Sequence, residues 1–245
     1  MDKIEAMSEG GRKLALIKEK LVERVEPGVT TGEIDAFADE LIRAAGGSPS
    51  FKMVRGYKHA TCVNINEVVV HGIPGREKIK KGDLVGIDVG LYYKGWHTDT
   101  ATTVMAGETQ NKGGVKFLAL GKSALKKAIA VAKPGNRIWD ISAVIQQEVE
   151  RAGYGVVRAL TGHGVGKKLH EEPAIPCFAL GEREKSAKIH PGMTLAIEVM
   201  YNLGTGEVVY KNDDGWTIIT ADGKISGLFE ETVAVTASGP RVLTT

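Results

Sequence analysis

The sequence predicts an α+β fold made of two similar halves. Three observations carry that expectation. Helical and strand patterns come in blocks, helices then strands then helices then strands, rather than in βαβ alternation. The second half echoes the first at a nearly constant offset. Acidic residues also stand inside strand patterns that are otherwise apolar.

The elements follow in chain order. Leu14, Ile17, Leu21 and Val25 recur at helical spacing, so a helix runs to about residue 25 before "EPGVTT" breaks it. Thr31 is placed to cap a second helix, which carries Ile34, Phe37, Leu41 and Ile42 and stops at Gly46-Gly47. From about Ala60 to Ala106 the pattern turns to short strands, "TCVNI", "EVVV", "DLVGIDVG" and "ATTVM", separated by Gly and Pro. Two helices are expected next, at about Val115–Ala132 and Ile138–Ala152. Strands return in "GMTLAIEVM", "EVVY", "WTIIT" and "ETVAVT".

The repeat is visible residue by residue. A shift of 107 lays Pro27, Gly28, Ile34, Ala36 and Gly46 on Pro134, Gly135, Ile141, Ala143 and Gly153. A shift of 110 lays Gly82, Ile87, Asp88 and Val89 on Gly192, Ile197, Glu198 and Val199. Two matches in the same order, at nearly the same shift, imply a duplicated chain. We expect one domain over residues 1–245, with halves of about 1–110 and 111–245.

Asp88 and Glu198 therefore hold the same place in each half, each between Ile and Val. Successive strand side chains point to opposite faces, so each carboxylate points away from its apolar neighbours. Asp99, in "HTDTATTVM", is echoed by Glu230 and Glu231 in "LFEETVAVT". Carboxylates gathered in a dry sheet repel one another and lose hydration. Arg or Lys could compensate, but the strand patterns contain none at the required places. Several carboxylates and one imidazole suit a pair of divalent ions. His163, in "TGHGVGKKLHEEP", is the imidazole candidate, with glycines on both sides that let the backbone bend. His71 closes an apolar run and opens a Gly/Pro turn, where functional groups often sit. His59, His97 and His190 carry no such signal.

Bulk properties exclude several classes. A net charge of +2 and pI of about 8.4 argue against nucleic acid as a partner. No run approaches the length of a membrane span, and the N-terminal stretch has no cleavage-site pattern, so the expectation is a cytoplasmic protein with no membrane partner. The two cysteines, Cys62 and Cys177, lie far apart without a CxxC pattern, which fits a reducing compartment.

Five segments, "NEVVVHGIP", "GDLVGIDVGLYYKGWHTDT", "TGHGVGKKLHEEP", "PGMTLAIEVM" and "DGWTIITADGKISGLFEETVAV", together resemble the type I methionine aminopeptidases of the pita-bread metallopeptidase superfamily. The resemblance spans nearly the whole chain. It implies a pita-bread fold, with two pseudo-symmetric halves and a curved antiparallel sheet covered by helices, around a centre of two divalent ions (Co, Mn, Fe or Zn). By position, it implies Asp88, Asp99, His163, Glu198 and Glu230 as metal ligands. Asp99 and Glu230 would bridge, with Asp88 to one side and His163 and Glu198 to the other. It implies His71 as a substrate contact, His170 as a group stabilising the scissile carbonyl oxygen, and Trp216, Tyr57 and Cys62 around the specificity pocket. The chain's length suits the catalytic domain alone.

Three positions depart from the family pattern. Val199 follows Glu198 where Pro is usual, Leu228 stands where Gln is usual, and Glu231 replaces the His that normally follows the Glu at 230. The internal repeat, run forward from Asp99-Thr100, points to Glu231, whereas the family spacing points to Glu230. The family spacing is the better guide, because strand ends tolerate one-residue bulges.

The implied activity is removal of N-terminal methionine from peptides and nascent chains. Two divalent ions would make hydroxide available from a bridging water near neutral pH. Glu198 would serve as general base, and His71 and His170 as catalytic imidazoles. A monomer is expected, and the resemblance leaves contact with the ribosome open. One alternative is a proline-specific pita-bread peptidase, against which "HGIP" and "DGWTIIT" argue. Another is a non-catalytic pita-bread binding protein, against which the full ligand set argues.

Overall fold

The computed structural model describes residues 2–108, 110–211 and 213–245. Helix α1 (Lys3–Glu23) starts at Asp2, where Glu5 reaches back to the Asp2 amide at 3.4 Å. Helix α2 (Thr31–Ala44) is capped by Thr30, one residue earlier than expected. Thr30 has the extended backbone a cap needs. Its hydroxyl accepts from the Glu33 amide at 3.2 Å, while Glu33 accepts from the Thr30 amide at 2.8 Å. Thr31 is already helical, and its hydroxyl accepts instead from the Gly75 amide.

Strands β1 (Ser48–Pro49), β2 (Thr61–Ile65), β3 (Val68–Val70), β4 (Leu84–Tyr93) and β5 (Trp96–Met105) complete the first half. The polar run "HTDT" lies within β5 rather than outside it. Lys94 and Gly95 both have positive φ, 49° and 87°, and make the tight turn that pairs the two long strands over their full length. Cross-strand pairing, not apolar patterning, keeps those residues extended.

The second half holds α3 (Lys112–Ala130), α4 (Ile138–Arg151), β6 (Gly155–Val156), β7 (Thr161–Gly164), β8 (Glu171–Pro176), β9 (Thr194–Asn202), β10 (Val208–Tyr210), β11 (Ile218–Thr220), β12 (Ser226–Thr236) and β13 (Gly239–Val242). The repeat reappears in the geometry. The bounds of α4 are those of α2 shifted by 107 residues. Gly28, Gly46 and Gly82 have φ of 96°, 80° and 89°, and their counterparts Gly135, Gly153 and Gly192 have 94°, 80° and 90°. The bridge Thr30–Lys78 is matched by Arg137–Lys188.

The main sheet runs β1-β4-β5-β12-β9-β7-β8, with β2 on β4, β6 on β9 and β13 on β12. A small second sheet, β10-β11-β3, was not anticipated. Every pairing registered among the described strands is antiparallel. One apolar core gathers Leu14, Ile17 and Ile34 from the first helix pair onto Ile87 and Val89 of β4. The other gathers Phe117, Ile141 and Ile145 from the second pair onto Ile197 and Val199 of β9. Burial of these side chains contributes about 1.5–3 kcal/mol each. The named side chains of both cores lie on the helix-covered face, which leaves the opposite face of the central strands for chemistry.

In the small sheet the halves meet where β3 pairs β11, and in the main sheet where β5 pairs β12, through the register pairs Ala101–Glu230 and Thr100–Glu231. Beyond these, hydroxyls take the place of the backbone ladder at both ends. Thr232 Oγ1 accepts from the Asp99 amide (2.8 Å) and donates to its carbonyl (2.7 Å). Thr103 Oγ1 accepts from the Leu228 amide (2.9 Å) and donates to its carbonyl (2.9 Å). Each half thus contributes one threonine to the other's backbone.

Candidate metal centre

Strand register alone assembles a line of side chains across five strands. Cys62 on β2 pairs Asp88 on β4, Asp88 pairs Ala101 on β5, Ala101 pairs Glu230 on β12, and Glu230 pairs Glu198 on β9. Neighbouring strands are about 4.8 Å apart, so residues in such a row touch their neighbours. Asp99 lies two residues before Ala101 and shares its face. His163 on β7 pairs Ala196, two residues before Glu198, and so shares that face too.

His163 lies in strand β7. The glycines beside it serve close approach: a Cβ on Gly162 would stand 2.5 Å from the Ala196 carbonyl oxygen, and one on Gly164 2.3 Å from that of Glu172. The His163 Nδ1 lies 2.8 Å from the Gly164 carbonyl oxygen. A carbonyl can only accept, so Nδ1 carries the proton and Nε2 presents a lone pair. That Nε2 stands 3.7 Å from Glu198 Oε1 and 4.0 Å from Asp99 Oδ2. Ligand atoms of Asp99, His163 and Glu230 all fall within 4.8 Å of one another. Asp88 and Glu198 flank this trio along the row.

The electrostatics are those of a cluster lacking a counter-charge. Burial first, then Asp99 and Glu198, raises the Asp88 carboxyl well above the carboxylate range. Glu198 is raised by burial and then by Asp99, and Glu230 by burial and then by Asp99, Glu198 and Asp88. Burial pushes Asp99 up to about 7. His163 is pushed down to about 4 by burial and then by His170, so its contacts with Glu198 and Asp99 are not ion pairs near neutral pH. Among the described residues, Asp88 Oδ1 and Glu230 Oε1 are buried oxygens with no hydrogen-bond partner. The cavity they line holds no Lys or Arg. Four oxygen donors and one neutral imidazole, two of the oxygens orphaned, fit divalent cations of hard to borderline character.

The cavity, about 300 Å³, adjoins the row. His71 lines it from the end of β3, held at φ 56°. Its ring meets Trp216 edge-on at 6.5 Å. The His170 ring packs edge-on against His163 at 4.6 Å. Burial lowers the pKa of both, so both are neutral imidazoles near pH 7. Tyr57, Cys62 and Trp216 line one end together with Phe51 and Leu169, which form a small apolar cluster of their own. The Tyr57 hydroxyl donates to the Thr61 carbonyl at 2.8 Å and lies 3.1 Å from Cys62 Sγ, so it is held in the wall.

Sequence reasoning missed Phe51, Leu169 and Met200 as lining residues. A signal existed for two of them: Leu169 immediately precedes His170, and Met200 is two residues past Glu198 on the same strand face. Of the departures from the family pattern, Val199 is buried in the helix-covered core. Leu228 pairs Met200. Glu231 points away from the cavity, toward Lys18. His97 is buried, with Nδ1 2.9 Å from Ser50 Oγ, and does not line the cavity.

A profile of metallopeptidase family M24 matches residues 5–237. The chain belongs to metallopeptidase family M24. This M24 chain is 42% identical over 243 residues to a methionine aminopeptidase of Clostridium perfringens, covering 99% of this chain and 96% of the relative. It is 42% identical to methionine aminopeptidase 1 of Bacillus subtilis, covering 97% of this chain and 94% of the relative. The crystal structure of methionine aminopeptidase from Thermotoga maritima superposes with a TM-score of 0.94 at 40% identity, covering 99% of this chain and 96% of that one. Prolidase from Pyrococcus furiosus superposes with a TM-score of 0.80 at 23% identity, covering 99% of this chain and 64% of that one, which shows the shared fold. The M24 chain has the pita-bread fold.

Proposed function

We propose that this metallopeptidase removes the N-terminal methionine from peptides and nascent proteins. The carrying observation is the contact between two unlike regions. The apolar end of the cavity, lined by Phe51, Tyr57, Cys62, Leu169 and Trp216, joins the acidic row at the Cys62–Asp88 register pair. An unbranched apolar side chain seated there brings its own backbone to the carboxylates. The relatives' activity agrees with that chemistry.

Asp88, Asp99, His163, Glu198 and Glu230 would hold two divalent ions, Co, Mn, Fe or Zn. When bound, such ions lower the pKa of water and polarise a carbonyl oxygen. The chain's own residues do the rest. The Glu198 carboxylate takes the proton from the attacking water and returns it to the leaving amine. His170, as a neutral imidazole, donates an N–H to the developing oxyanion, and His71 orients the scissile peptide. Trp216 and Tyr57 exclude water from the side-chain pocket. The apolar end sets the preference for the first side chain, and recognition of the free α-amino group beside the carboxylates would limit cleavage to the first residue. The chain acts as one catalytic domain of two halves, as a cytoplasmic monomer, on peptide substrates rather than nucleic acid or membrane. A ribosome contact would place it at nascent chains.

Reconstitution of the metal-stripped protein tests this reading. Addition of Mn²⁺, Co²⁺, Fe²⁺ or Zn²⁺ should restore hydrolysis of Met-Ala-Ser but not of an Xaa-Pro dipeptide. Cleavage confined to Xaa-Pro would transfer the assignment to a proline-specific peptidase. No cleavage of either under any of the four metals would support a binding protein instead.

A further inference from the structure

The acidic row has a cationic support on the far side of the sheet. Glu231 alternates with Glu230 and Thr100 with Asp99 and Ala101, so Glu231 and Thr100 face helix α1. Lys18 of α1 enters there. Its Nζ donates to Glu231 Oε1 at 2.7 Å, to Thr100 Oγ1 at 2.7 Å and to the Thr244 carbonyl at 3.5 Å, which uses all three protons. The pair is largely withdrawn from water, with side-chain exposures of 12% and 15%.

The contacts run from this pair directly to the cavity face. Thr100 Oγ1 donates to the Glu230 carbonyl oxygen at 2.9 Å and lies 3.0 Å from Glu231 Oε2. The Thr100 amide donates to Asp99 Oδ1 at 3.0 Å. The Thr244 hydroxyl binds Glu231 Oε2 and accepts from the Thr232 amide at 3.0 Å. Thr232 in turn holds both backbone groups of Asp99. The ladder between β5 and β12 has only two register pairs, and Thr100–Glu231 is one of them. A change at Lys18 therefore reaches Asp99 and Glu230 without touching either.

Granted the metal-centre reading above, we propose that the Lys18–Glu231 ion pair is a positioning pair. It sets the separation of Asp99 and Glu230 and thereby the affinity of the centre for divalent cations. Removing one member leaves an uncompensated charge in a nearly dry layer behind the site, and relief of that charge requires the junction of β5 and β12 to shift.

Calorimetric titration of Mn²⁺ into metal-stripped protein tests this, on the parent chain, K18M, E231Q, K18R and the K18M/E231Q double variant. Each neutralising single variant should weaken Mn²⁺ binding by about tenfold or more, and the double variant should fall short of the product of the two losses. K18R, which keeps the charge and the donors, should stay within about threefold of the parent. On Met-Ala-Ser with saturating Mn²⁺, kcat should fall in K18M and E231Q while KM holds. E231Q keeps the shape and an acceptor, so it reports even where K18M fails to fold. Single variants that melt lower yet bind Mn²⁺ as the parent does would overturn the positioning role and leave a merely structural ion pair. A parent chain that binds no Mn²⁺ would overturn the metal-centre reading and, with it, the role assigned to the pair.

Discussion

Asp88 and Glu230 are register partners of the same residue, Ala101, which each faces from a neighbouring strand. A methyl group is all that stands between the two carboxylates along the row. One comes from each half of the chain, both are buried, and each keeps an oxygen without a hydrogen bond. The stability of the fold should therefore depend on cations and on pH.

Without metal, that dependence has a definite sign. In the unfolded chain the carboxyls titrate near about 4 and the histidines near about 6.5. The folded chain holds Asp88, Glu198 and Glu230 well above their ordinary range, and Asp99 at about 7. It holds His163 and His97 at about 4. From pH 4 to 6.5 the two groups oppose each other, because the folded state keeps carboxyl protons but gives up imidazole protons. Above about 6.5 the histidines are neutral in both states, and only the carboxyls count. The folded state then holds protons that the unfolded state has lost, so stability falls as pH rises. The Tm of metal-stripped protein should decline from pH 6.5 to 8.5, and saturating Mn²⁺ should flatten the decline. A metal-free Tm that rises over this interval would show that the row is ionised at little cost.

Glu198→Gln should separate chemistry from stability. Loss of a general base costs about 100- to 10,000-fold in rate, so turnover of Met-Ala-Ser should drop at least about 100-fold. The metal-free variant should melt higher than the parent, since one buried ionisable group is gone from a repelling cluster. Full activity would remove Glu198 from the mechanism, and a lower metal-free Tm would contradict the repulsion.

His170→Ala removes a neutral donor beside the cavity. Oxyanion donors are worth about 100- to 1,000-fold in kcat, and that loss is expected with KM little changed. A rise in KM with kcat preserved would instead assign His170 to substrate binding in the ground state.

Thr232→Val keeps the shape but strips both backbone groups of Asp99 of their partner. Each buried group left unsatisfied costs about 1–3 kcal/mol. Urea unfolding should report a loss of that order, with circular dichroism unchanged at low denaturant. A loss below about 0.5 kcal/mol would mean that the strands close up and restore their own ladder.

Much of this was legible before any coordinates. Asp88 and Glu198 stand out because the repeat sets each between Ile and Val, and the structure brings them into one row. The structure turns the Glu230 carboxylate toward the cavity and the Glu231 carboxylate toward Lys18. The run around Asp99 was harder to read. Its polar residues look like a loop, and only the Lys94-Gly95 turn and the pairing with β4 make them a strand. The glycines beside His163 read as freedom to bend, whereas in the structure they admit neighbouring backbones.

What the sequence determined by itself is local: helix spans and strand alternation. These depend on residues a few positions apart, whose propensities and periodicity act before any long-range contact forms. Only the tertiary structure decided that β5 and β12 meet through two register pairs and a pair of exchanged threonines. It alone decided that Lys18 finds Glu231 across 213 positions, and that Phe51, Leu169 and Met200 close the cavity. Such choices rest on packing and charge compensation between segments remote in the chain, and no local pattern encodes which remote partner wins.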